Sequence, residues 1–229
     1  MKILAIDSTA VVASAAICDI ENGIINKYSL LSLKNGLTHS VNLLPLIDSA
    51  IKYYGTDISE IELISVTAGP GSFTGVRIGV ATVKGLAFSD NIPVCGISTL
   101  DALAKNCENF SQIICPVMDA RRKQFYNALF SDGKRICDDR CESFEVILSD
   151  LTKQGKEVLL CGDGAALFKS MCPELNTIKL APAACVDQNA LSVALCGYEI
   201  FKLGKSTTQN LLKPIYLRIS QAERERNAL

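Results

Sequence analysis

The first third of the chain contains the run Ile64-Ser65-Val66-Thr67-Ala68-Gly69-Pro70-Gly71-Ser72-Phe73-Thr74-Gly75-Val76-Arg77-Ile78-Gly79. An apolar, β-branched strand ends in a glycine-rich loop, and a helix follows at once. Such a loop aims backbone N–H groups at one point, where an anion can bind. We expect the helix to begin at Thr74, whose hydroxyl can cap the free N–H groups of the first turn. Arg77 then lies in that turn.

Two known phosphate-binding motifs differ from this loop. A Walker loop places Lys and then Ser or Thr after its last glycine, whereas Gly75 is followed by Val76 and Arg77. The dinucleotide fingerprint G-x-G-x-x-G is one residue shorter than the spacing of Gly69, Gly71 and Gly75. The helix macrodipole disfavours a cation in the first turn by about 0.3–1 kcal/mol. Arg77 should therefore meet a negative group, which is a neighbouring carboxylate or a phosphate.

Composition indicates an ordinary globular protein. The chain has 229 residues, of which 48% are hydrophobic and 21% charged, enough for one large or two small domains. A net charge of -1 gives no basic field that would hold a polyanion, so a nucleic-acid role would have to be shared with a partner. Ten cysteines without a C-x-x-C pair and a single histidine predict neither a zinc site nor a disulfide framework.

No segment has the pattern of a signal peptide or a membrane span. The N-terminus enters a strand directly, without a long apolar region and a cleavage site. The longest apolar helix, residues 76–88, is interrupted by polar residues and is too short to cross a bilayer. These features and the cysteine usage lead us to expect a cytoplasmic protein with no membrane contact.

The same order of predicted strands, turn and helix occurs twice in the sequence. Residues 3–33 predict a strand that ends in Asp7 and then a hairpin whose turn contains Asn22-Gly23. Residues 113–143 repeat this plan with Asp119 and Asp132-Gly133. A helix and a strand that ends in Gly-x-Gly follow each hairpin: Gly69 and Gly71 in the first half, Gly162 and Gly164 in the second. By analogy, the plan predicts a duplicated α/β fold of the actin-like (ribonuclease-H-like) class, with two lobes that each hold a mixed sheet flanked by helices.

Further helices and a lobe boundary follow from periodicity. Apolar residues recur at helical spacing over residues 39–54 and again over residues 187–203. A break near Ser98 separates a predicted N-terminal lobe, residues 1–98, from a C-terminal lobe, residues 99–229. We expect the final segment, residues 211–229, to pack back on the N-terminal lobe.

Several blocks follow one family pattern over nearly the whole chain. They are Ile3-Leu4-Ala5-Ile6-Asp7-Ser8, His39-Ser40 with Leu43-Leu44-Pro45, the glycine block at 69–79, Gly96-Ile97-Ser98-Thr99-Leu100, Asp119-Ala120-Arg121 and Pro214-Ile215-Tyr216-Leu217-Arg218. With these blocks the chain resembles the bacterial TsaB family, also called YeaZ. The resemblance implies a non-catalytic dimerisation subunit of the complex that installs N6-threonylcarbamoyl on adenosine 37 of tRNAs that read codons starting with A.

The same resemblance implies partners. They are a catalytic TsaD-type paralogue, a TsaE-type P-loop ATPase, and tRNA reached only through the complex; a homodimer of the free chain stays open. The residues also argue against catalysis here. The catalytic paralogue binds a metal through H-x-x-x-H, whereas Leu43 stands four positions after His39, the single histidine. We therefore expect no catalytic residue, no metal and no Ser-His-Asp or Cys-His protease site.

Nucleotide binding is a weaker expectation. In active actin-like ATPases the first hairpin is glycine-rich after its Asp, but here Ser8 follows Asp7, and Arg121 follows Asp119 by two positions and can pair with Asp7 across a collapsed cleft. This pattern favours a degenerate cleft with no required cofactor and leaves open ATP or ADP that is weakly bound or shared with a partner. The candidate nucleotide-binding residues are Asp7, Ser8, Gly69, Gly71, Ser72, Arg77, Asp119, Gly162 and Gly164.

The helix after the glycine loop is apolar on two sides, which indicates burial in the fold or completion in an assembly. The helix at residues 39–54 has the same character. The predicted partner interface consists of His39, Leu43, Leu44, Ile47, Val76, Gly79, Val80 and Val83. The alternative function is an actin-like, ATP-dependent phosphotransferase for a small molecule, with Asp7 and Asp119 as its metal-side carboxylates.

Overall fold

Two five-stranded sheets form the framework of the protein in a computed structural model that describes residues 1–36 and 38–218. The first sheet has the order β3-β2-β1-β4-β5. Its strands are β1 (Lys2–Asp7), β2 (Ala13–Glu21), β3 (Ile24–Leu33), β4 (Leu63–Gly69) and β5 (Val94–Ser98). Strands β1, β2 and β3 pair antiparallel, and β4 and β5 continue the sheet in parallel with β1.

The second sheet repeats this plan. Read from β8, its order is β8-β7-β6-β9-β10, with the same antiparallel and parallel pairings. Its strands are β6 (Ile113–Asp119), β7 (Gln124–Ser131), β8 (Lys134–Ser143), β9 (Val158–Cys161) and β10 (Ile178–Leu180). Both hairpin turns have two residues with positive φ, Asn22-Gly23 and Asp132-Gly133, as the Asx-Gly signals predict. The predicted two-lobed, duplicated actin-like fold is confirmed.

Helices cover the first sheet on both faces. Helices α1 (His39–Tyr54) and α2 (Phe73–Leu86) lie on one face, where they share a core with Leu4 and Ile6. Helix α7 (Ala190–Lys202) lies on the other face with Ile3 and Ala5. Helix α3 (Thr99–Lys105) follows β5 and links the lobes. Because β1 is buried on both faces, its residues are apolar without alternation.

The position of α7 corrects the predicted lobes. The predicted division assigned this helix, with all of residues 99–229, to the C-terminal lobe, but its residues Val193 and Ala194 are buried against the first sheet. The chain returns to the first lobe after β10, so that lobe is built from two separate stretches of sequence. Helix α7 also begins later than residue 187 because the side chain of Asn189 accepts a hydrogen bond from the backbone N–H of Leu191 at 2.9 Å and caps the helix there.

The second lobe has its own core beneath α4 (Phe144–Lys153), α5 (Ala165–Ser170) and the short α6 (Ala183–Val186). Phe168 lies at its centre, with ring centroids 5.3 Å from Phe125 and 4.8 Å from Phe144. Among the helices of the described residues, none has the length and apolar character that a membrane span needs.

The segment after α7 crosses the first lobe. Thr207 pairs with Val94 at the edge of β5 through two backbone hydrogen bonds of 2.9 Å. Leu212 is buried in the core under α1 and α2, and the N–H of Ile215 donates to the carbonyl of Ala68 at 2.7 Å. Residues 212–216 of the predicted back-packing segment thus lie on the first lobe, while its residues 219–229 lie outside the described residues.

Candidate functional site

The glycine loop is packed against the turn that follows β1. A Cβ atom on Gly71 would lie 2.4 Å from the carbonyl oxygen of Thr9, and one on Gly75 would lie 2.0 Å from that of Ser8. The N–H of Ser72 donates to the Thr9 carbonyl at 2.7 Å. Glycine is needed here because one backbone touches another. The chain itself therefore occupies the space over Gly71 and Ser72 in which we expected a phosphate.

Helix α2 begins one residue earlier than predicted. Ser72, rather than Thr74, is its N-cap, and the Ser72 hydroxyl accepts from the N–H of Gly75 at 3.3 Å. The hydroxyl of Ser8 donates to the carbonyl of Gly75 at 2.9 Å. Ser8 and Ser72 thus have structural partners within the chain instead of the open positions that a nucleotide ligand requires.

Asp7 is fully buried at the end of β1. Its Oδ1 accepts hydrogen bonds from the N–H of Thr9 at 2.9 Å and from the Thr9 hydroxyl at 2.7 Å. Its Oδ2 and the hydroxyl of Thr67 on β4 are both buried; in the described part of the chain they face each other without the geometry of a full hydrogen bond. Burial raises the pKa of Asp7 to about 6, against the lowering effect of Thr9, Thr67 and His39. The Asp7 carboxylate therefore stabilises the turn, and it is not exposed to solvent.

The equivalent corner of the second lobe has two carboxylates. Asp119 accepts from the N–H of Arg121 at 2.7 Å and forms an ion pair with the Arg121 side chain at 3.1 Å. The predicted pairing of Arg121 with Asp7 is therefore wrong, because Asp119 is its nearer partner. Burial and the nearby charge of Asp119 raise the pKa of Asp163 to about 6. Gly162 packs on the carbonyl of Val117, where a Cβ would lie 2.4 Å away.

Gly164, the other glycine predicted for adenosine, is equally close-packed. A Cβ there would lie 2.8 Å from the backbone nitrogen of Asp119. Gly69 likewise touches the backbone of Ile215, whose carbonyl oxygen would lie 2.3 Å from a Cβ on this glycine. No group of three or more His, Cys, Asp or Glu side chains that could hold a metal occurs within residues 1–36 and 38–218.

Arg77 lies against two aromatic side chains. Its guanidinium carbon lies 3.9 Å from the centroid of the Phe73 ring, and its Nε donates to the hydroxyl of Tyr216 at 2.8 Å. The rings of Phe73 and Tyr216 are stacked with centroids 4.9 Å apart. The predicted carboxylate partner of Arg77 is not among its contacts in the described residues.

Most of the predicted interface residues are in the core of the first lobe. Six of the eight are buried: Leu43, Ile47, Val76, Gly79, Val80 and Val83. They pack against the first sheet, where they bury the apolar side chains of Leu4, Ile6 and Val66. His39 is half-buried, and its Nε2 lies 2.5 Å from the carbonyl oxygen of Ala10, so that it fastens the start of α1 to the Asp7 turn. Only Leu44 remains on the surface, 57% exposed.

The opposite side of the same two helices is exposed and carries several apolar side chains beside polar ones such as Asp48 and Arg77. Val41 is 63% exposed and Phe88, just after α2, is 70% exposed. With their exposed neighbours they form what we call the outward α1–α2 face: Val41, Leu44, Pro45, Ala81, Gly85 and Phe88. Sequence reasoning identified two apolar stripes on α2 but not which one meets the sheet. The close contact of Gly75 with Ser8, which turns that side of the helix inward, was the missing information.

Comparisons with known proteins agree with this architecture. A protein-family model described as "TsaD: tRNA N6-adenosine threonylcarbamoyltransferase" matches residues 36–223. The tRNA threonylcarbamoyladenosine biosynthesis protein TsaB of Bacillus subtilis (strain 168) is 32% identical, with 97% of this chain and 96% of that protein covered. The protein of the same name from Escherichia coli (strain K12) is 28% identical, with 95% of each covered.

Solved structures show the same fold. "YeaZ from Pseudomonas aeruginosa" superposes with a TM-score of 0.75 at 21% identity, covering 94% of this chain and 99% of that chain. An uncharacterized protein with similarity to peptidase YEAZ, also from Pseudomonas aeruginosa, gives a TM-score of 0.78 at 21% identity, covering 95% and 99%. At this identity the likeness concerns the fold alone.

Proposed function

Because the chain belongs to the TsaB family, with a role in tRNA threonylcarbamoyladenosine biosynthesis, we propose that it is the non-catalytic assembly subunit of that pathway's threonylcarbamoyl-transfer complex. Its partner is a TsaD-type catalytic paralogue. A TsaE-type P-loop ATPase joins the complex, and tRNA is modified at the catalytic subunit.

The outward α1–α2 face is the observation that supports this proposal. Val41, Leu44 and Phe88 are large apolar side chains on neighbouring helices, and all three are more than half exposed. Val41, Leu44 and Pro45 are neighbours at helical spacing on α1, and an exposed apolar patch of this kind marks interaction sites in soluble proteins. Ala81 and Gly85 on α2 are exposed and small, so a partner helix can approach α2 closely. We therefore place the interface on the side of α1 and α2 opposite to the six buried predicted residues, and Leu44 is the predicted residue that this side retains.

The cleft supports a non-catalytic role. The Asp7 carboxylate is bonded to Thr9, and the amide of Ser72 is bonded to the Thr9 carbonyl. In a working actin-like ATPase both groups would have to be available to phosphate and metal. We propose that the chain requires no cofactor of its own and that any ATP or ADP in the complex is held with a partner.

A charge on the outward face tests the interface. We expect Leu44→Glu to remain a folded protein with a near-normal Tm and to lose binding to a separately purified TsaD-type protein, because an unpaired charge in a desolvated interface costs about 2–5 kcal/mol. Val146→Glu is the matched control, since Val146 is 43% exposed on α4 of the other lobe. Binding is measured by calorimetry and function by threonylcarbamoylation in the reconstituted system.

Each outcome of this experiment is decisive. If Leu44→Glu binds like the unaltered chain while the reconstituted system is active, the interface lies elsewhere. If the Val146→Glu control also loses binding, the outward α1–α2 face has no special role. The free chain can use the same face to form a homodimer, in which case Leu44→Glu also converts a dimer into a monomer in sedimentation.

The phosphotransferase alternative is tested by ATP turnover. We expect the purified chain to hydrolyse ATP no faster than a buffer control, because Ser8 and Thr9 occupy the space beside Gly71 and Gly75. Turnover that is abolished by Asp7→Ala would contradict the assembly role and favour an enzyme.

A further inference from the structure

Three consecutive cationic residues form the loop between β6 and β7. Arg121, Arg122 and Lys123 have φ angles of 63°, 57° and 59°, in the left-handed region. Non-glycine residues in this region cost about 1–2 kcal/mol each, and such strain concentrates at functional sites. The loop is closed by a hydrogen bond from the N–H of Gln124 to the carbonyl of Arg121 at 3.2 Å. All three side chains are exposed, so the loop holds three cations toward solvent.

Two further arginines extend this charge toward the first lobe. Arg218 donates from Nη1 to the carbonyl of Ala120 at 2.5 Å, which places its guanidinium next to the loop. Tyr216, two residues earlier, accepts the hydrogen bond from Arg77 at the start of α2. These two hydrogen bonds and the connectivity of the chain bring together five cations from both lobes, which we call the basic rim: Arg77, Arg121, Arg122, Lys123 and Arg218.

Few carboxylates oppose the basic rim. Three carboxylates lie near it: Asp119, which is paired with Arg121; Asp163, on whose pKa Arg121 has a lowering effect; and Glu145, whose pKa Lys123 contributes to lowering. The side chain of Arg122 and the terminal amino groups of Arg77 have no acceptor within the described parts of the chain. The chain as a whole has a net charge of -1, so this positive surface is a local feature rather than part of a general excess.

The rim also contains an aromatic surface. Tyr216 is 42% exposed and stacks on Phe73 beneath the Arg77 guanidinium. Cations that follow a backbone of phosphates, combined with an aromatic ring on which a base can stack, are the usual means of binding single-stranded or looped RNA. Arginine is suited to this task because its planar fork binds phosphate oxygens in pairs.

We propose that the basic rim contacts the phosphate backbone of the substrate tRNA in the assembled complex, a role that rests on the proposed function above. The contact is sequence-independent and positions the RNA across the two lobes, because phosphate contacts fix register and carry no base information. Two more arginines near the C-terminus, Arg224 and Arg226, lie outside the described residues.

The test measures tRNA binding by fluorescence anisotropy. The probe is a fluorescein-labelled transcript of a tRNA that reads codons starting with A, titrated with the complex of this chain and a TsaD-type protein. We expect Arg121→Glu/Arg122→Glu to weaken binding at least tenfold and to reduce the slope of log K against log salt by about 2. Lys134→Glu/Lys156→Glu is the control, since it makes the same charge change at exposed lysines outside the rim.

Arg122→Glu alone guards against a folding artefact, because Asp119 keeps its partner Arg121 and the Arg122 side chain bonds to no acceptor among the described residues. We expect it to weaken binding and to reduce the salt slope by about 1. Unchanged tRNA affinity and unchanged salt slope in both variants would overturn the role of the rim. An equal loss of affinity in the lysine control would also overturn it, because the effect would then come from the overall charge of the protein. Loss of the TsaD-type protein from the complex would also overturn it, by assigning the rim to a protein interface. Unchanged TsaD binding with unchanged tRNA binding refutes the rim and leaves the proposed function intact.

Discussion

At the residue scale, Asp7 shows how one buried carboxylate can organise a turn. Its carboxylate organises the turn through both hydrogen bonds from Thr9, and Thr9 in turn accepts from Ser72 at the start of α2. His39 holds the same turn from the start of α1 through the carbonyl of Ala10. The buried carboxylate therefore orients both helices of the outward face from below.

This arrangement predicts a pH-dependent stability. The pKa of Asp7 is about 6 in the folded protein and 3.8 ordinarily, so between these values the folded state holds a proton that the unfolded state has released. Asp7 therefore destabilises the fold increasingly as pH rises from 4 to 6, reaching about 3 kcal/mol above that window. We expect Asp7→Asn to gain stability relative to the unaltered chain over this window, since an amide keeps both Thr9 bonds and can donate to the Thr67 hydroxyl.

Urea unfolding of both proteins at pH 4, 5, 6 and 7 measures this difference. Because both chains share all other titrating groups, their difference isolates Asp7. A difference that does not change with pH would mean that the carboxyl titrates alike in the folded and unfolded states.

At the element scale, α2 was largely predictable and its orientation was not. The β-branched residues predict the strand, the glycines predict the loop, and the helical spacing of apolar residues predicts the helix. All three are local signals. The inward side of the helix depends on Ser8, some seventy positions away in the sequence, whose carbonyl touches Gly75. The same limit explains why Leu43, 1% exposed, and Leu44, 57% exposed, could not be told apart from their neighbours alone.

Two glycines of α2 provide a matched pair for this contact. A Cβ on Gly75 would lie 2.0 Å from the Ser8 carbonyl, whereas one on Gly85 would meet nothing within 4 Å. We expect Gly85→Ala to stabilise the fold by about 0.5–1 kcal/mol through helix propensity. Gly75→Ala should destabilise it by about 1–3 kcal/mol or more, because backbone must move to relieve the overlap. Thermal unfolding of both variants measures the two effects, and equal Tm values would contradict the packing of the Asp7 turn on α2.

At the scale of the whole molecule, the duplication could be predicted because each half carries its own local sequence signals. Asp7 and Asp119 end equivalent strands, and Asx-Gly turns follow both. The return of α7 to the first lobe could not be predicted. The periodicity of an amphipathic helix indicates that one side is buried but not which sheet that side covers. The position of α7 depends on the path of the chain after β10, which local periodicity does not encode.

The division of the molecule has a direct consequence for its fragments. Residues 1–98, the predicted N-terminal lobe, would leave Ile3 and Ala5 exposed where α7 now covers them, and would also lack Leu212. We expect this fragment to show no cooperative thermal transition by circular dichroism. Joining it to residues 190–218 through a flexible linker of about 15 residues should restore one, because the linker costs little entropy compared with the apolar surface that α7 buries.

Val193→Asp in the joined fragment serves as the control, since Val193 is fully buried in the contact with the first sheet. The charged variant should again fail to melt cooperatively. A cooperative transition in residues 1–98 alone would show that the first sheet is stable without α7. In that case α7 packs on the first lobe without being needed for its folding, and the boundary near Ser98 is the boundary of a folding unit.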